Sequence, residues 1–156
     1  MDQINNEQSP FLKMHHAGII VRDMDTAMKY FDSLGMGPFE SAGHDKMVVT
    51  EATFRGKPLN TKPIIKFMQV GGFRLELLQQ GEGESIEKES LEKKGEGINH
   101  IAFEVPNIEN ATNYMINKGF EVILQVKLEH GGGGAYFNTD KVGGVLIELI
   151  QEPSKE

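Results

Sequence analysis

His16-Ala17-Gly18-Ile19-Ile20-Val21-Arg22-Asp23-Met24 returns 84 residues later as His100-Ile101-Ala102-Phe103-Glu104-Val105-Pro106-Asn107-Ile108. The offset holds without a gap: Ala27 meets Ala111, Tyr30 meets Tyr114 and Gly35 meets Gly119. A second pair, Gly71-Gly72-Phe73-Arg74-Leu75-Glu76-Leu77-Leu78-Gln79 and Gly143-Gly144-Val145-Leu146-Ile147-Glu148-Leu149-Ile150-Gln151, matches at an offset of 72. The first half therefore carries 12 more residues between its matched ends. The polar, Pro- and Gly-containing stretch 55–63 is the place for them. A repeat at this spacing reads as two copies of one module.

Each copy has the same order of elements. A short run rich in branched residues from His15 to Val21 predicts a strand. Asp23 is a helix N-cap; Met24, Ala27, Met28, Phe31 and Leu34 then share one face, and Gly35 ends the helix. Strand-like segments follow at 46–54, 64–70 and 73–78, the last two joined by Gly71-Gly72 as a hairpin turn. The second copy predicts a strand at 98–105, a helix from Asn107 to Lys118, and strands at 120–127, 135–138 and 145–150. The fold class expected is α+β, two βαβββ modules at 14–79 and 98–151, joined by a charged linker at 80–97 with a short helix over 85–94.

Composition bounds the chemistry. The 156 residues are 38% apolar and 25% charged, enough for a core and against wholesale disorder. The net charge of −7 comes with no basic block, which argues against a nucleic-acid partner. Zero cysteines exclude disulfides, Cys-based zinc sites and a thiol nucleophile. No apolar run reaches the roughly 20 residues of a membrane helix, and the polar start Met1–Glu7 lacks the pattern of a secretory signal. A cytoplasmic location and no membrane partner are expected. Reaction chemistry must come from His, carboxylates or a bound cofactor. The 18 glycines exceed the roughly 11 of average usage.

The repeat places one His and one Glu at equivalent points of each half: His16 with Glu76, and His100 with Glu148. Alternation puts Leu75 and Leu77 on the face opposite Glu76, and Ile147 and Leu149 opposite Glu148. A lone His or Glu on a strand is ordinarily a solvated side chain. Two of each, at matching places, are expected to converge on a shared concave face across an approximate twofold. Two imidazoles and two carboxylates make a ligand set for one divalent ion, with N and O donors suiting Zn, Ni, Co, Mn or Fe.

These stretches, with Leu75-Glu76-Leu77-Leu78, Gly97-Ile98-Asn99-His100 and Gly144-Val145-Leu146-Ile147-Glu148-Leu149, resemble the signature strands of the vicinal oxygen chelate superfamily over about residues 14–151. That superfamily includes glyoxalase I, methylmalonyl-CoA epimerase, extradiol dioxygenases and bleomycin-resistance proteins. The resemblance implies a cupped mixed sheet around a central metal site, a homodimer, and His16, Glu76, His100 and Glu148 as metal ligands. His16 rather than His15 is the ligand, since it aligns with His100. Two modules rather than four, and a fourth ligand, argue against an extradiol dioxygenase. This leaves one divalent ion (Zn, Ni, Co or Mn) as the expected cofactor.

What the remaining relatives share is removal of a proton alpha to a carbonyl, with Glu148 as base and Glu76 available on the other face of the substrate. The linker passage resembles that of methylmalonyl-CoA epimerase, and an acyl-CoA substrate is expected first. The His, Glu, His, Glu set equally resembles bacterial glyoxalase I, a lactoylglutathione lyase acting on a thiol adduct. A metal-free small-molecule binding protein of the bleomycin-resistance type is a third possibility. Phe137-Asn138-Thr139-Asp140-Lys141-Val142 departs from the epimerase pattern before the last strand. Glu51 reads as an exposed strand carboxylate, or else as an additional acid or base. Gly131-Gly132-Gly133-Gly134 is expected as a flexible loop over the cavity mouth, His130 at the surface, and Phe39 either in the cup or in the core. Arg22 and Arg74 are candidates for meeting an anionic substrate.

Overall fold

The computed structural model describes residues 9–154 apart from 42, 44 and 45; the polar start Met1–Glu7 lies outside the described residues. Among these described residues it is an α+β fold built on one open, mixed, nine-stranded sheet with three α-helices. The elements in chain order are β1 (Met14–Ile20), α1 (Met24–Ser33), β2 (Val49–Phe54), β3 (Lys57–Pro58), β4 (Ile64–Val70), β5 (Phe73–Gln79), α2 (Ile86–Lys94), β6 (Gly97–Glu104), α3 (Ile108–Asn117), β7 (Val122–Leu128), β8 (Gly133–Phe137) and β9 (Leu146–Gln151). The sheet order is β3-β2-β7-β8-β9-β6-β1-β5-β4.

Local chemistry explains the helices. Asp23 Oδ1 accepts from Thr26 N at 2.8 Å, and Asn107 Oδ1 accepts from Asn110 N at 2.8 Å, so the two repeat-related helices start on the same kind of cap. Ser85 caps α2 by accepting from Lys88 N. Helix α1 covers the convex face of the sheet with Met24, Ala27, Met28 and Phe31 against Ile19 and Leu77. Helix α3 does the same with Ala111 and Met115 against Ala135, Phe137 and Leu149. Each fully buried Leu or Phe here contributes about 1.5–3 kcal/mol. Phe39 belongs to the α1 cluster, 5.4 Å from the Phe31 ring, and so to the core. Helix α2 closes one end of the concave face: Ile86 packs with Phe54, Leu124, Tyr136 and Leu146, and Leu91 with Ile20 and Leu78.

Strands β1 and β6 form the antiparallel centre of the sheet, flanked in parallel by β5 and β9 respectively. The repeat departs from symmetry at β2. The second half keeps its strands together as β7-β8-β9-β6, whereas β2 leaves its own half and pairs with β7. The place beside β4 that the repeat reserves for it holds a single bridge, Glu40 to Phe67. Residues 55–63 lead back to β4. The segment turns at Arg55 and Gly56, both at positive φ, and folds Lys57–Pro58 back on β2 before it runs on to β4. The 12 extra residues of the first half fall where its chain runs out to the far edge of the sheet and returns.

Candidate metal centre

The central strand pair is irregular at two related points, and both irregularities shape the site. Between Met14 and His16 the register with β6 slips by one residue at His15, and between Gly18 and Ile19 it slips by one at Asn99 on the other strand. Each ligand-candidate histidine is therefore preceded by a bulged residue, a device that re-aims a side chain. His16 lies opposite Ala102 and His100 opposite Gly18. A Cβ on Gly18 would come to 2.6 Å from His100 Nε2 and 2.7 Å from Nδ1, so glycine makes the room that the His100 ring occupies.

The four residues expected from the repeat converge. His16 Nε2 and His100 Nε2 are 3.0 Å apart, and both rings are buried. Glu148 Oε2 lies 3.1 Å from His16 Nε2 and 3.3 Å from His100 Nε2. Glu76 offers Oε2 at 3.5 Å from His16 Nε2 and Oε1 at 3.4 Å from His100 Nε2. Since β5 and β9 sit on opposite sides of the β1/β6 pair, the two carboxylates approach from opposite sides. His16, Glu76 and His100 bring ligand atoms within 4.8 Å of one another. Glu148 Oε2 is buried and makes no well-aligned hydrogen bond, despite its closeness to both imidazoles. A buried carboxylate oxygen without a well-aligned donor is costly, and a cation at the convergence point offsets that cost. The donor set fits a divalent ion with mixed N and O ligands.

Electrostatics agree. Burial alone would lower the His16 pKa, but the charges of Glu76 and Glu148 outweigh it and raise the value to about 9. Burial pushes Glu148 up, yet the imidazoles of His16 and His100 more than offset this and hold its carboxyl below the usual range. Burial and then the charges of Glu148 and Glu76 drive the Tyr136 phenol far above its ordinary value. The centre attracts positive charge and rejects further negative charge.

Around it lies a cavity of about 950 Å³ lined by β1, β2, β4, β5, β7, β8 and β9. Tyr136 and Phe67 stand directly across from Glu148 and Glu76 in register, and each ring packs edge-on to one histidine: Tyr136 on His100 at 4.9 Å and Phe67 on His16 at 6.1 Å. Lys62, Lys66 and Arg74 reach the cavity wall. Arg22 is not on that wall; its backbone N–H donates to Glu96. Glu51 also borders the cavity, half-exposed and 3.2 Å from Lys127 Nζ, in keeping with an exposed strand carboxylate. His130 is exposed.

Two features differ from the sequence expectation or are absent from it. Gly131–Gly134 is not a lid: Gly133 and Gly134 are buried within β8, and close approach rather than mobility explains them. A Cβ on Gly134 would stand 2.9 Å from Glu148 Oε1, and one on Gly133 would strike Val126 O. The wall at the mouth is instead the return segment, where Leu59, Asn60, Thr61 and Lys62 line the cavity. Glu87, on the first turn of α2, is 5% exposed and lines the same cavity, its pKa raised chiefly by burial. In sequence it sits within Glu87-Lys88-Glu89, where a charge run signals a solvated face.

With this geometry in view, the relatives are informative. A family model for the Glyoxalase/Bleomycin resistance protein/Dioxygenase superfamily matches residues 15–139. An uncharacterized protein of Bacillus subtilis (strain 168), YqjC, is 24% identical over 142 residues, spanning 89% of this chain and 91% of its own. The crystal structure of hypothetical protein BH1468 from Bacillus halodurans C-125 superposes with a TM-score of 0.63 at 25% identity, over 92% of this chain and 96% of that one. Methylmalonyl-CoA epimerase from Mycobacterium tuberculosis gives 0.64 at 20% identity, over 94% and 91%. Methylmalonyl-CoA epimerase from Streptomyces coelicolor in complex with 2-nitronate-propionyl-CoA gives 0.63 at 20% identity, over 92% and 99%. At that identity the epimerases attest to the fold. The family model spans most of the chain, so the chain belongs to the Glyoxalase/Bleomycin resistance protein/Dioxygenase superfamily, the vicinal oxygen chelate proteins.

Proposed function

We propose that this chain is a metal-dependent enolising enzyme, one that removes a proton alpha to a carbonyl, and that an acyl-CoA thioester handled as in methylmalonyl-CoA epimerase is its first-ranked substrate. The observation that carries this reading is the convergence of His16, Glu76, His100 and Glu148, with the Nε2 atoms 3.0 Å apart and a buried carboxylate oxygen without a well-aligned hydrogen bond. These four residues would hold one divalent ion, Zn, Ni, Co or Mn. Bound there, the ion supplies Lewis-acid polarisation of a carbonyl oxygen and charge to match the enolate.

The chain's own groups supply the proton transfers. Glu148, held below the usual carboxylate range, is ionised at neutral pH and accepts the alpha proton as the C–H bond breaks. Glu76, approaching from the other side of the central strand pair, serves the opposite face of the substrate, as an epimerisation requires. The apolar wall of Leu78, Leu124 and Val126 keeps water from the enolate. Although the chain is acidic overall, Lys62, Lys66 and Arg74 at the cavity wall suit an anionic substrate. A carboxylate at position 76 also favours a second reading, a glyoxalase I-like lyase acting on a thiol adduct. A homodimer is part of the first reading.

Solvent deuterium exchange followed by NMR, on methylmalonyl-CoA beside the hemithioacetal of methylglyoxal and glutathione, tests both. Exchange on the thioester, abolished in Glu148→Gln with the fold retained, is the expected result. Exchange on the hemithioacetal alone moves the assignment to the lyase. Exchange on neither, with no metal in the purified protein and no stabilisation by added Co(II), would leave a binding protein and overturn the enzyme reading.

A further inference from the structure

The two bulged residues next to the histidines do more than distort the strands. His15 Nδ1 lies 2.7 Å from His16 Nδ1, and its other ring nitrogen, Nε2, is 2.7 Å from Glu152 Oε1. On the related strand, Asn99 Oδ1 lies 2.9 Å from His100 Nδ1, while Asn99 Nδ2 donates to Ser90 Oγ. Residues 15 and 99 stand at the same place in the repeat, 84 apart, and each is the extra residue of its bulge. In a regular strand, neighbouring side chains point to opposite faces. The bulge is what lets each reach the ring of the next residue.

Hydrogen-bond logic then places the Nδ1 protons of the neutral rings. Asn99 spends its N–H on Ser90, so its oxygen faces His100 and can only accept. His100 must carry its proton on Nδ1, leaving the Nε2 lone pair at the centre. In the other half, a carboxylate oxygen of Glu152 only accepts, so His15 donates from Nε2 and keeps a lone pair on Nδ1. That lone pair accepts from His16 Nδ1, so the neutral His16 ring likewise presents a bare Nε2. Two chemically unlike chains, Glu152–His15–His16 and Ser90–Asn99–His100, impose one tautomer on both rings.

We infer that His15 and Asn99 are positioning residues, presented by twin β-bulges to lock each neighbouring histidine as the Nδ1–H tautomer with Nε2 directed at the metal centre. The inference rests on the metal reading above. It assigns to His15, which is not itself a ligand, and to Glu152 beyond it, the part of the hydrogen-bond acceptor that orients a ligating imidazole.

The repeat supplies the control, because asparagine already does this work at position 99. In His15→Asn an amide oxygen replaces the lone pair and Co(II) affinity stays near that of the parent. His15→Leu removes the acceptor and weakens Co(II) binding by about 10–100-fold. Glu152→Ala, at a half-exposed site that leaves the core intact, weakens it in the same direction. Ring ¹⁵N spectra of the metal-free protein, at a pH alkaline enough for neutral imidazoles, show the proton of His16 and His100 on Nδ1, and His15→Leu shifts the His16 pattern alone. A proton on Nε2 of either ring, or equal Co(II) affinity across His15→Leu, His15→Asn and the parent, overturns the inference. So would equal losses in both His15 variants. If the parent takes up no Co(II), the metal reading fails by itself, and the ring spectra still decide the tautomers.

Discussion

Gly18→Ala isolates the most specific steric demand of the site. Gly18 has none of the positive φ that would make alanine strained, so the backbone accepts the change. The cost falls on His100. The new Cβ would lie 2.6 Å from Nε2, and ordinary contact begins near 3.4 Å, so that atom must retreat by at least about 0.8 Å. Metal–nitrogen bonds of about 2.0–2.1 Å tolerate deviations of about 0.2 Å, a quarter of that displacement. The ring has nowhere easy to go, being fully buried between Asn99 and the Tyr136 ring. Overpacking of this kind costs about 1–3 kcal/mol, offset by about 0.5–1 kcal/mol from replacing glycine in a strand. The net stability loss expected is about 1–2 kcal/mol, or a few degrees in Tm at about 2–4 °C per kcal/mol.

Metal affinity should suffer more than stability. Losing His100 as a ligand should weaken Co(II) binding by about 100-fold or more, equivalent to about 2.8 kcal/mol. Isothermal titration with Co(II) and thermal unfolding of the same preparations measure the two effects separately. Gly72→Ala is the control, since its Cβ meets nothing within 4 Å. A Gly18→Ala protein that binds Co(II) like the parent would refute the argument that glycine at this position sets the His100 ring.

Three further outcomes follow from the structure. Glu87 has a folded pKa above its unfolded value, so below about pH 4.3 it is protonated in both states, and as pH rises through that value the unfolded state ionises first and stability falls. Glu87→Gln should therefore be more stable than the parent at neutral pH, with the gain vanishing in acid; denaturant unfolding at the two extremes measures it. Gly81→Ala places a Cβ against Lys62 O and Thr61 Oγ1, pushing the return segment at the cavity mouth, and should raise KM with Co(II) affinity unchanged. Co(II) at a hundredfold excess over its Kd should raise unfolding stability by about 2.7 kcal/mol, and a chelator should reverse the gain, as followed by melting.

Much of this was legible because a duplicated pattern doubles every signal. His16 and His100 announce one another, the N-caps Asp23 and Asn107 occur at the same step, and alternation around Glu76 and Glu148 puts both carboxylates on the concave face. Pairing partners were not legible. Strand periodicity states which face is buried and says nothing of which strand lies alongside, so the crossing of β2 to β7 left only a trace, the surplus length at 55–63. Glycine is ambiguous for a related reason: it serves mobility and close approach alike, and Gly133 and Gly134 were decided by Val126 and Glu148, neighbours brought there by the sheet. Glu87 was hidden because α2 buries Ile86, Glu87 and Leu91 together, one carboxylate on an otherwise apolar face. Tyr136 and Phe67 carried no local signature; their roles come from standing opposite Glu148 and Glu76.

The path of β2 also bears on how the chain is made. Its partner residues Glu51 and Lys127 are 76 residues apart, so at about 5–20 residues per second β2 waits about 4–15 s for β7 during synthesis. Through that interval it is a strand with an unpaired edge, open to other nascent chains. The hairpin that follows covers the other edge of β2, the side that becomes the margin of the sheet. β3 is only two residues long, and those two are Lys57 and Pro58, a charge and an imino acid that resist extension of the sheet. That device spares the mature sheet an adhesive margin, while the inner edge of β2 has no cover until β7 arrives.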